Sequence, residues 1–275
     1  MRWVWTVPEL RAALSQSRNH RRIGFVPTMG ALHAGHVSLF KVARQECDVV
    51  VASIFVNPTQ FNDPADLAAY PRQEDKDGEM AAEAGVDVLF VPKAEDVYRA
   101  GHATSMHVGG AALGFEGDHR PGHFDGVALV CLKLFNMVKP GVAYFGQKDA
   151  QQVAVIRQTV RDLNLDLEIR VVPTMRDAQG LALSSRNARL SPAEKARALA
   201  IPRALKAGLA AARQGEDPVA AAARELDGLD VEYVSLAEFE ADPTLVVAVR
   251  IGATRLIDNV PLRHAAAAGL HEVRS

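Results

Sequence analysis

The sequence predicts an α/β protein with a Rossmann-like open parallel sheet, helices on both faces of that sheet, and a smaller α+β C-terminal domain. Apolar runs rich in β-branched residues alternate with longer helical patterns up to about residue 172, as expected of strands joined by right-handed crossover helices. Residues 48–57 are apolar almost throughout, which is typical of a parallel strand covered on both faces. A polar loop after Pro173 ends this pattern. We therefore predict two domains, at residues 1–174 and 175–275.

The individual elements follow from local patterns. Thr6 and Glu9 have the spacing of a helix-capping box, which predicts a surface helix before the first strand. Strands and helices then alternate, with strands expected at 23–26, 48–57, 86–91, 142–145 and 167–172 and helices at 34–46, 74–84, 126–138 and 149–163. In the second domain, a capping box at Ser191 and Glu194, with Pro192 at the first helical position, predicts a long alanine-rich helix. A helix near 218–226 and strands near 231–235, 246–251 and 254–258 follow.

Composition excludes several classes of function. Hydrophobic residues make up 48% of the chain and charged residues 23%, with a formal net charge of −2, so we expect no nucleic-acid partner and no anionic membrane surface as partner. The most apolar run, residues 49–56, is too short to span a bilayer, and the first residues lack the apolar core of a signal peptide. Two cysteines, Cys47 and Cys131, are consistent with a reduced, cytoplasmic protein.

The strongest functional signal is the stretch at residues 25–36, Phe-Val-Pro-Thr-Met-Gly-Ala-Leu-His-Ala-Gly-His. It predicts a strand, a turn and a helix whose start offers unpaired backbone N–H groups and the positive end of the helix dipole to a phosphate. His33 and His36 are three residues apart, so they lie on one face of the first turn and can contact the same ligand. Gly30 and Gly35 allow a nucleotide to approach the backbone closely. Half of a metal site is the alternative, but no Cys/His pair of zinc-like spacing occurs elsewhere in the sequence.

Further polar clusters follow the ends of predicted strands. Gln60 comes after the second strand, and its amide can hold both a hydroxyl and a carboxylate. Lys148 follows the strand at 142–145, where it can neutralise a triphosphate, and Gln152 lies on the first turns of the next helix. Ser184, Ser185 and Arg186 supply two hydroxyls and a guanidinium, which suit a leaving pyrophosphate. A compact loop with the sequence Arg-Pro-Gly-His-Phe at 120–124 adds a cation and a histidine.

The chain resembles the pantoate–β-alanine ligase family of the nucleotidyltransferase superfamily in six motifs between residues 27 and 190. In chain order they are Pro-Thr-Met-Gly-Ala-Leu-His-x-Gly-His, Phe-Val-Asn-Pro-x-Gln-Phe, Tyr-Pro-Arg, Arg-Pro-Gly-His-Phe, Phe-Gly-x-Lys-Asp-x-Gln-Gln and Gly-Leu-Ala-x-Ser-Ser-Arg-Asn. The resemblance implies an ATP-dependent condensation of (R)-pantoate with β-alanine to pantothenate, through pantoyl adenylate and with release of AMP and pyrophosphate. It further implies that Mg²⁺ accompanies ATP and that the protein is a homodimer.

The resemblance also implies roles for individual residues. His36, His33 and Lys148 are expected to be catalytic. Pantoate is expected to contact Gln60, Gln152 and Met29, and β-alanine to contact Gln60. The residues implied for ATP are Met29, Gly30, Ala31, Leu32, His33, Ala34, Gly35, His36, Gly146, Gln147, Lys148, Asp149, Met175, Leu183, Ser184, Ser185 and Arg186. Asp75 and Asp77 are the candidates for a metal ligand, although carboxylates at these positions are also typical of a charged helix start.

Three positions differ from the residues that are usual in the family. Leu183 replaces a methionine that is usual in the family, Gln147 a glutamate and Ala150 a tyrosine, and these differences bear on ATP affinity rather than on the reaction class.

Another adenylyltransferase or cytidylyltransferase of the superfamily is the alternative function, but the sequence has no second phosphate-binding cluster for its acceptor. A nucleotide-sensing or RNA-binding domain without turnover is a further alternative, which the absence of a basic surface and an aromatic platform disfavours.

Overall fold

The structure, a computed structural model, describes residues 1–15, 21–62, 64–239 and 242–263. Its contacts divide the chain into two compact units, the first formed by Met1–Gly146 and Gln151–Val172 and the second by Gln147–Ala150 and Pro173–Ser275. The division after Val172 lies close to the predicted boundary at residue 174. Residues 147–150, which we expected in the first domain, group with the second unit. That the two units are separate domains stays a prediction.

The first unit contains the predicted parallel sheet. Its strands, in chain order, are β1 (Arg2–Val4), β2 (Ile23–Thr28), β3 (Val49–Ile54), β4 (Val88–Phe90), β5 (Val142–Gly146) and β6 (Glu168–Val172). Their order in the sheet is β1-β4-β3-β2-β5-β6, and all neighbours are parallel. The chain moves outward from β2 through β3 to β4 and later returns to the other side of β2 with β5. The strand order therefore reverses between β2 and β5, which is where open α/β sheets bind their ligands.

Helices cover both faces of this sheet, which confirms the predicted fold class. They are α1 (Val7–Leu14), α2 (Ala34–Glu46), α3 (Pro64–Ala68), α4 (Glu74–Glu83), α5 (Ala94–Val97), α6 (Glu116–His119), α7 (His123–Val138) and α8 (Ala150–Asp162). Val49 and Val51 of β3 pack in one core cluster with α1, α7 and α8, whereas Val50 and Ala52 pack in a second cluster with α2 and α4. Successive side chains of a strand point to opposite faces, so β3 is apolar throughout because both of its faces are buried.

Several short elements, among them four of the strands and α-helices given above, were not predicted. Strand β1 and helices α3, α5 and α6 have only three to five residues each. A segment of that length is too short to display the periodicity of a strand or a helix. Within the residues that the structure describes, no helix is both long enough and apolar enough to cross a membrane.

The second unit contains a three-stranded antiparallel sheet in the order β7 (Asp230–Ala237), β8 (Thr244–Ile251) and β9 (Thr254–Pro261). Helices α9 (Pro192–Ala198), α10 (Ala200–Arg213) and α11 (Pro218–Glu225) accompany it. Leu205, Leu226 and Leu245 are among the buried side chains of their common core. An antiparallel sheet with helices is the predicted α+β arrangement.

The prediction of one long alanine-rich helix is wrong, because α9 ends and α10 begins at Leu199. Pro202 lacks a backbone N–H and is tolerated only in the first turn of a helix, so a new helix begins at Ala200. The predicted capping box is confirmed. Ser191 accepts the N–H of Glu194 at 3.3 Å, and the Glu194 carboxylate accepts the N–H of Ser191 at 2.9 Å.

Both cysteines are buried and unpaired. Burial raises the pKa of the Cys131 thiol to about 12. Since the thiolate is the reactive form of cysteine, Cys131 is inert at neutral pH. It serves as an apolar side chain in the first core cluster.

Candidate active site

The turn between β2 and α2 carries the signature residues of the sequence. The hydroxyl of Thr28, at the end of β2, donates to the carbonyl oxygen of Ser53 at 2.6 Å and accepts the N–H of Gly30 at 3.1 Å. Gly30 and Ala31 have positive φ angles of 82° and 51°, a conformation that glycine adopts readily and alanine rarely. The chain therefore turns sharply at the carboxyl end of β2 before α2 begins.

Asp77, on the first turn of α4, holds this turn from the side. Its Oδ2 accepts the N–H of Ala31 and its Oδ1 accepts the N–H of Leu32, each at 2.8 Å. The Asp77 side chain is buried, whereas Asp75 is exposed. Among the described residues, no group of three or more His, Cys, Asp or Glu side chains is arranged to hold a metal ion. A metal-binding role for Asp75 or Asp77 stays a prediction, and the structure gives Asp77 a different task.

His33 and His36 lie together at the start of α2, with ring centroids 4.2 Å apart. Nδ1 of His33 accepts the N–H of Gly35 at 3.1 Å, and Nδ1 of His36 accepts the N–H of His33 at 3.3 Å. A neutral imidazole that accepts at Nδ1 carries its proton on Nε2. Each ring is therefore oriented by the backbone and has Nε2–H as its donor, an arrangement that suits an anionic ligand.

The same contacts correct an expectation about the start of α2. Its backbone N–H groups are not all unpaired, because the His33 ring takes the N–H of Gly35, and the carbonyl oxygen of His33 takes the N–H of His36 at 2.8 Å. A Cβ added at Gly35 would lie 2.8 Å from Cε1 of His33. Glycine is therefore needed at position 35 to make room for the imidazole.

Gln60 and Met29, both predicted to contact pantoate, lie in contact with each other. Gln60 is buried and ends the 3-10 helix Pro58–Gln60 that follows β3. Its Nε2 donates to Sδ of Met29 at 3.0 Å, and its Oε1 accepts Nδ2 of Asn57 at 3.1 Å. Because the Asn57 nitrogen is a donor, it fixes which end of the Gln60 amide is oxygen and which is nitrogen.

Asn57 contacts the candidate site residue Gln60, and the sequence indicated it only as part of a turn. It is 1% exposed. Its Oδ1 accepts the hydroxyls of Tyr98 at 2.9 Å and Thr59 at 3.0 Å, while its Nδ2 also donates to the carbonyl oxygen of Gly126 at 3.2 Å. An amide directly after a buried strand, at the ligand-binding end of the sheet, is the signal that would have indicated it.

The Arg-Pro-Gly-His-Phe loop supports Gln60 through its backbone. Nη1 of Arg120 lies 3.0 Å from Nε2 of His123, and Nδ1 of His123 lies 2.9 Å from the carbonyl oxygen of Gln60. Arginine only donates, so Nε2 of His123 is the acceptor and its Nδ1–H donates to Gln60. This motif therefore positions Gln60 in the structure.

Gln152 is half-buried at the start of α8, and its neighbour Gln151 is buried. Nε2 of Gln151 donates to three carbonyl groups of residues 111–114 at 3.0 to 3.2 Å, and its Oε1 accepts the N–H of Glu116 at 2.9 Å. The two adjacent glutamines therefore differ in environment. Gln151 organises the loop before α6, which the sequence did not indicate.

The lysine motif follows β5 and is held within the second unit. Asn259 of β9 donates Nδ2 to the carbonyl oxygens of Gln147 at 2.9 Å and Lys148 at 2.8 Å, and its Oδ1 accepts Nε2 of Gln147 at 3.1 Å. Nζ of Lys148 lies 3.8 Å from Oδ1 of Asp149. Asn259 is buried and 111 residues away from Lys148 in the sequence, so no local pattern indicated it.

A cavity of the second unit brings together Lys148, Ser184 and Arg186, three of the predicted ATP residues. Arg255 and Asp258, which no sequence motif indicated, also line it. Three cationic side chains and one carboxylate leave this cavity with an excess of positive charge. Such a set is suited to bind phosphate oxygens.

Ion pairs hold the two additional charged residues. Arg176 binds Asp258 through Nη1–Oδ2 at 2.6 Å and Nη2–Oδ1 at 3.0 Å. The Glu232 carboxylate pairs with Arg255 at 2.5 Å and with Arg250 at 2.8 Å. Burial acts to raise the pKa of Glu232, but the hydrogen bonds and charges of Arg255 and Arg250 outweigh it and hold that pKa below its ordinary value.

Met175 and Leu183 are also brought together in the second unit. The N–H of Leu183 donates to the carbonyl oxygen of Met175 at 2.9 Å, across a tight turn closed by the Asp177 side chain. Ser184 then caps the 3-10 helix Ser185–Arg189 by accepting the N–H of Arg186 at 3.2 Å. The residues of this segment that are predicted to contact ATP thus lie on consecutive turns of one loop.

Known proteins resemble this chain over nearly its whole length. The family described as pantoate-beta-alanine ligase matches residues 2–261. The chain belongs to the pantoate–β-alanine ligase family. The pantothenate synthetase 1 of Bradyrhizobium diazoefficiens is 48% identical to it over 278 residues, covering 95% of this chain and 98% of that protein. The resemblance seen in the six motifs is confirmed.

Two solved structures of pantoate–β-alanine ligases share the fold. The pantothenate synthetase from Thermus thermophilus has a TM-score of 0.89 and 44% identity, covering 95% of this chain and 99% of that one. The ligase from Francisella tularensis, complexed with beta-gamma ATP and beta-alanine, has a TM-score of 0.82 and 38% identity, covering 95% and 98%. This family member is an ATP-dependent ligase that joins pantoate to β-alanine through an amide bond. The reading as a binding domain without turnover is thereby set aside.

Proposed function

We propose that the ligase works in two steps through pantoyl adenylate. In the first step a carboxylate oxygen of pantoate attacks the α-phosphorus of ATP, the bond to the bridging oxygen breaks, and pyrophosphate leaves with the electron pair. In the second step the neutral amine of β-alanine attacks the acyl carbon, the bond from that carbon to the phosphate oxygen breaks, and AMP leaves while the amine loses a proton. Because ATP supplies the activated leaving group, the protein contributes mainly positioning and charge stabilisation.

The backbone-fixed orientation of His33 and His36 is the observation that carries this proposal. Negative charge grows on the departing pyrophosphate in the first step. Donors already oriented before the reaction stabilise such charge without a cost of reorganisation. We assign His36 as the donor of a hydrogen bond or proton to this group, with His33 beside it. A well-placed general acid contributes roughly 10²- to 10⁴-fold in rate.

We assign pantoate to Gln60, Gln152 and Met29. The donor end of the buried Gln60 amide is directed away from Asn57, which supports a role in holding the carboxylate or hydroxyl of pantoate. We also assign the approach of β-alanine to Gln60. A neutral amide suits this position because it binds both a carboxylate and a hydroxyl without attracting water as strongly as a charged group does.

We assign the phosphates of ATP to Lys148 and its neighbours in the second unit. The excess positive charge of the cavity shared by Lys148, Ser184 and Arg186 supports this assignment. The other residues proposed for ATP in this unit are Gln147, Asp149, Met175, Leu183 and Ser185. Those proposed in the first unit, besides the two histidines, are Met29, Gly30, Ala31, Leu32, Ala34, Gly35 and Gly146.

Three further features belong to the proposal. Mg²⁺ commonly binds through substrate phosphates together with one or two carboxylates, so we propose that it enters with ATP. We also propose a homodimer, as the family resemblance implies, which light scattering of the purified protein tests. A cytoplasmic location is supported by the two unpaired thiols.

Exchange of labelled pyrophosphate into ATP tests the two-step route. Purified protein is incubated with Mg²⁺ and ATP, with or without D-pantoate, and β-alanine is left out. We expect exchange only in the presence of pantoate, because adenylate formation must then run in both directions. Absence of exchange, from folded protein that binds ATP, would contradict the adenylate route. Exchange with a different acceptor in place of pantoate would favour another transferase of the superfamily.

A further inference from the structure

We propose that Asp77 is a positioning residue of this ligase. Its buried carboxylate presets the turn at residues 30–32, so that α2 presents His33 and His36 in the orientation that binds ATP. The inference rests on the proposed ATP site at these histidines. Helix α4 contributes no residue to that site, but through Asp77 it controls the geometry of the site.

Asp77 pairs two backbone N–H groups of the turn. The N–H groups of Ala31 and Leu32 lie outside any helix or strand, so no backbone ladder pairs them. Both converge on Asp77, one on each carboxylate oxygen, at 2.8 Å. Hydrogen bonds to a charged acceptor are about twice as strong as those between neutral groups. One side chain thus satisfies two consecutive buried N–H groups.

These hydrogen bonds maintain an uncommon backbone conformation of the turn. Ala31 has a φ of +51°, a region that a residue with a Cβ seldom occupies and that persists only where the surroundings impose it. At Gly30, whose φ is +82°, an added Cβ would lie 3.0 Å from Oδ2 of Asp77. The carboxylate therefore packs against the turn as well as binding it.

Asp77 is itself held in place by the packing of α4. The next residue, Gly78, has no side chain, and a Cβ there would lie 2.1 Å from Cζ2 of Trp3. The Trp3 indole consequently packs directly on the backbone of α4 beside Asp77. Ala81, one turn further on, is buried in the core cluster that also contains residues of α2. Because these contacts fix α4, the Asp77 carboxylate has a fixed position beside the turn.

The turn held by Asp77 continues directly into the segment that carries the two histidines. Leu32 is bonded directly to His33, whose N–H donates to Nδ1 of His36 and whose Nδ1 caps Gly35. A displaced Leu32 would shift the His33 backbone, and with it the contacts that orient both imidazoles. Asp77 therefore acts on ATP through the histidines and need not touch ATP.

The test compares Asp77→Asn with Glu79→Gln, an exposed carboxylate on the same helix. Asparagine keeps the shape of aspartate but loses the charge and turns one acceptor into a donor. Amide hydrogen exchange at residues 31 and 32 and the dissociation constant for ATP are measured in both variants. We expect Asp77→Asn to accelerate exchange and to weaken ATP binding, each by about tenfold or more. Glu79→Gln is expected to match the wild type.

Two further measurements separate positioning from other roles. If Asp77 were a metal ligand, raising the Mg²⁺ concentration would restore ATP binding to Asp77→Asn, so restoration would overturn the proposal. Adding Ala31→Gly to Asp77→Asn is expected to recover part of the ATP affinity, because glycine adopts a positive φ without help. Failure to recover any affinity would contradict a role in holding the turn.

Other outcomes are equally decisive. In the wild-type protein without ligand, the amide hydrogens of residues 31 and 32 are expected to exchange slowly although they lie outside secondary structure. Fast exchange there would overturn the proposal. This measurement does not depend on whether Asp77→Asn folds. A different result would contradict the proposed ATP site at the histidines. In that case, amide hydrogen exchange would accelerate in Asp77→Asn, while Asp77→Asn and His36→Ala would both bind ATP as tightly as the wild type. The two failures are therefore distinguishable.

Discussion

Nδ2 of Asn57 donates to Oε1 of Gln60 at 3.1 Å, and this contact sets the direction of the Gln60 amide. The same nitrogen is anchored to the carbonyl oxygen of Gly126 at 3.2 Å, and Oδ1 of Asn57 accepts the Tyr98 hydroxyl at 2.9 Å. Both residues are buried. A side chain that would otherwise rotate freely is thus held with its N–H₂ group toward Met29.

Asn57→Ala is expected to lower kcat/KM for pantoate by about 5- to 150-fold, since leaving a buried amide oxygen unpaired costs about 1–3 kcal/mol. Tyr98→Phe should have a smaller effect because it leaves the bond between Asn57 and Gln60 intact. Asn136→Ala, which removes an exposed asparagine on α7, is the control. Steady-state kinetics with pantoate varied at saturating ATP measure the effect. Wild-type kinetics in Asn57→Ala would contradict the orienting role.

His36→Ala and Lys148→Ala are each expected to reduce adenylate formation at least about tenfold while the protein stays folded, because each removes a stabilising group of the transition state. Pyrophosphate exchange measures the rate and circular dichroism the fold. His107→Ala and Lys206→Ala, at exposed positions, serve as matched controls. Near-normal exchange in either of the first two variants would refute the role of that residue.

Gly35→Ala is expected to weaken ATP binding about tenfold or more, since the new Cβ would lie 2.8 Å from the His33 ring and displace it from its cap. Gly109→Ala is the control, because a Cβ at that position meets no atom within 4 Å and its φ of −90° suits alanine. Calorimetric titration with ATP compares the two variants. Equal affinities would show that the position of the His33 ring is unimportant for ATP.

The stability of the second unit is expected to fall in acid partly through Glu232. Its pKa is lowered in the folded protein, so its contribution to stability is fully present above the unfolded-state pKa of about 4.3 and is lost as the pH falls through the folded-state pKa. Glu232→Gln should therefore lower the melting temperature at pH 7. Below about pH 4, the difference in melting temperature between the variant and the wild type should become smaller. Thermal unfolding from pH 3 to pH 7 measures this, and a difference independent of pH would contradict it.

The sequence by itself determined the fold class, most of the elements and the family. Apolar residues that repeat every two residues in a strand, or every 3.6 residues in a helix, reveal which faces are buried. The capping boxes at Thr6 and Ser191 mark helix starts. These signals can be read from the sequence because they depend only on residues close together along the chain. Pro202 was a local signal too, and it explains the break at Leu199 that we did not predict. The contact between His33 and His36 was predictable for the same reason, since both lie on one helical turn.

Only the tertiary structure decided how the site residues are held. Asp77 reaches Ala31 across 46 residues, and Asn259 reaches Lys148 across 111. These partners meet because strands and helices distant in the sequence pack side by side, and a single sequence does not specify the hydrogen-bond partner that a polar side chain meets there. The caps on the N–H groups of Gly35 and His33, made by the rings of His33 and His36, depend on side-chain orientation as well. The sequence thus indicated the candidate site residues, while packing determined the hydrogen bonds that orient their side chains.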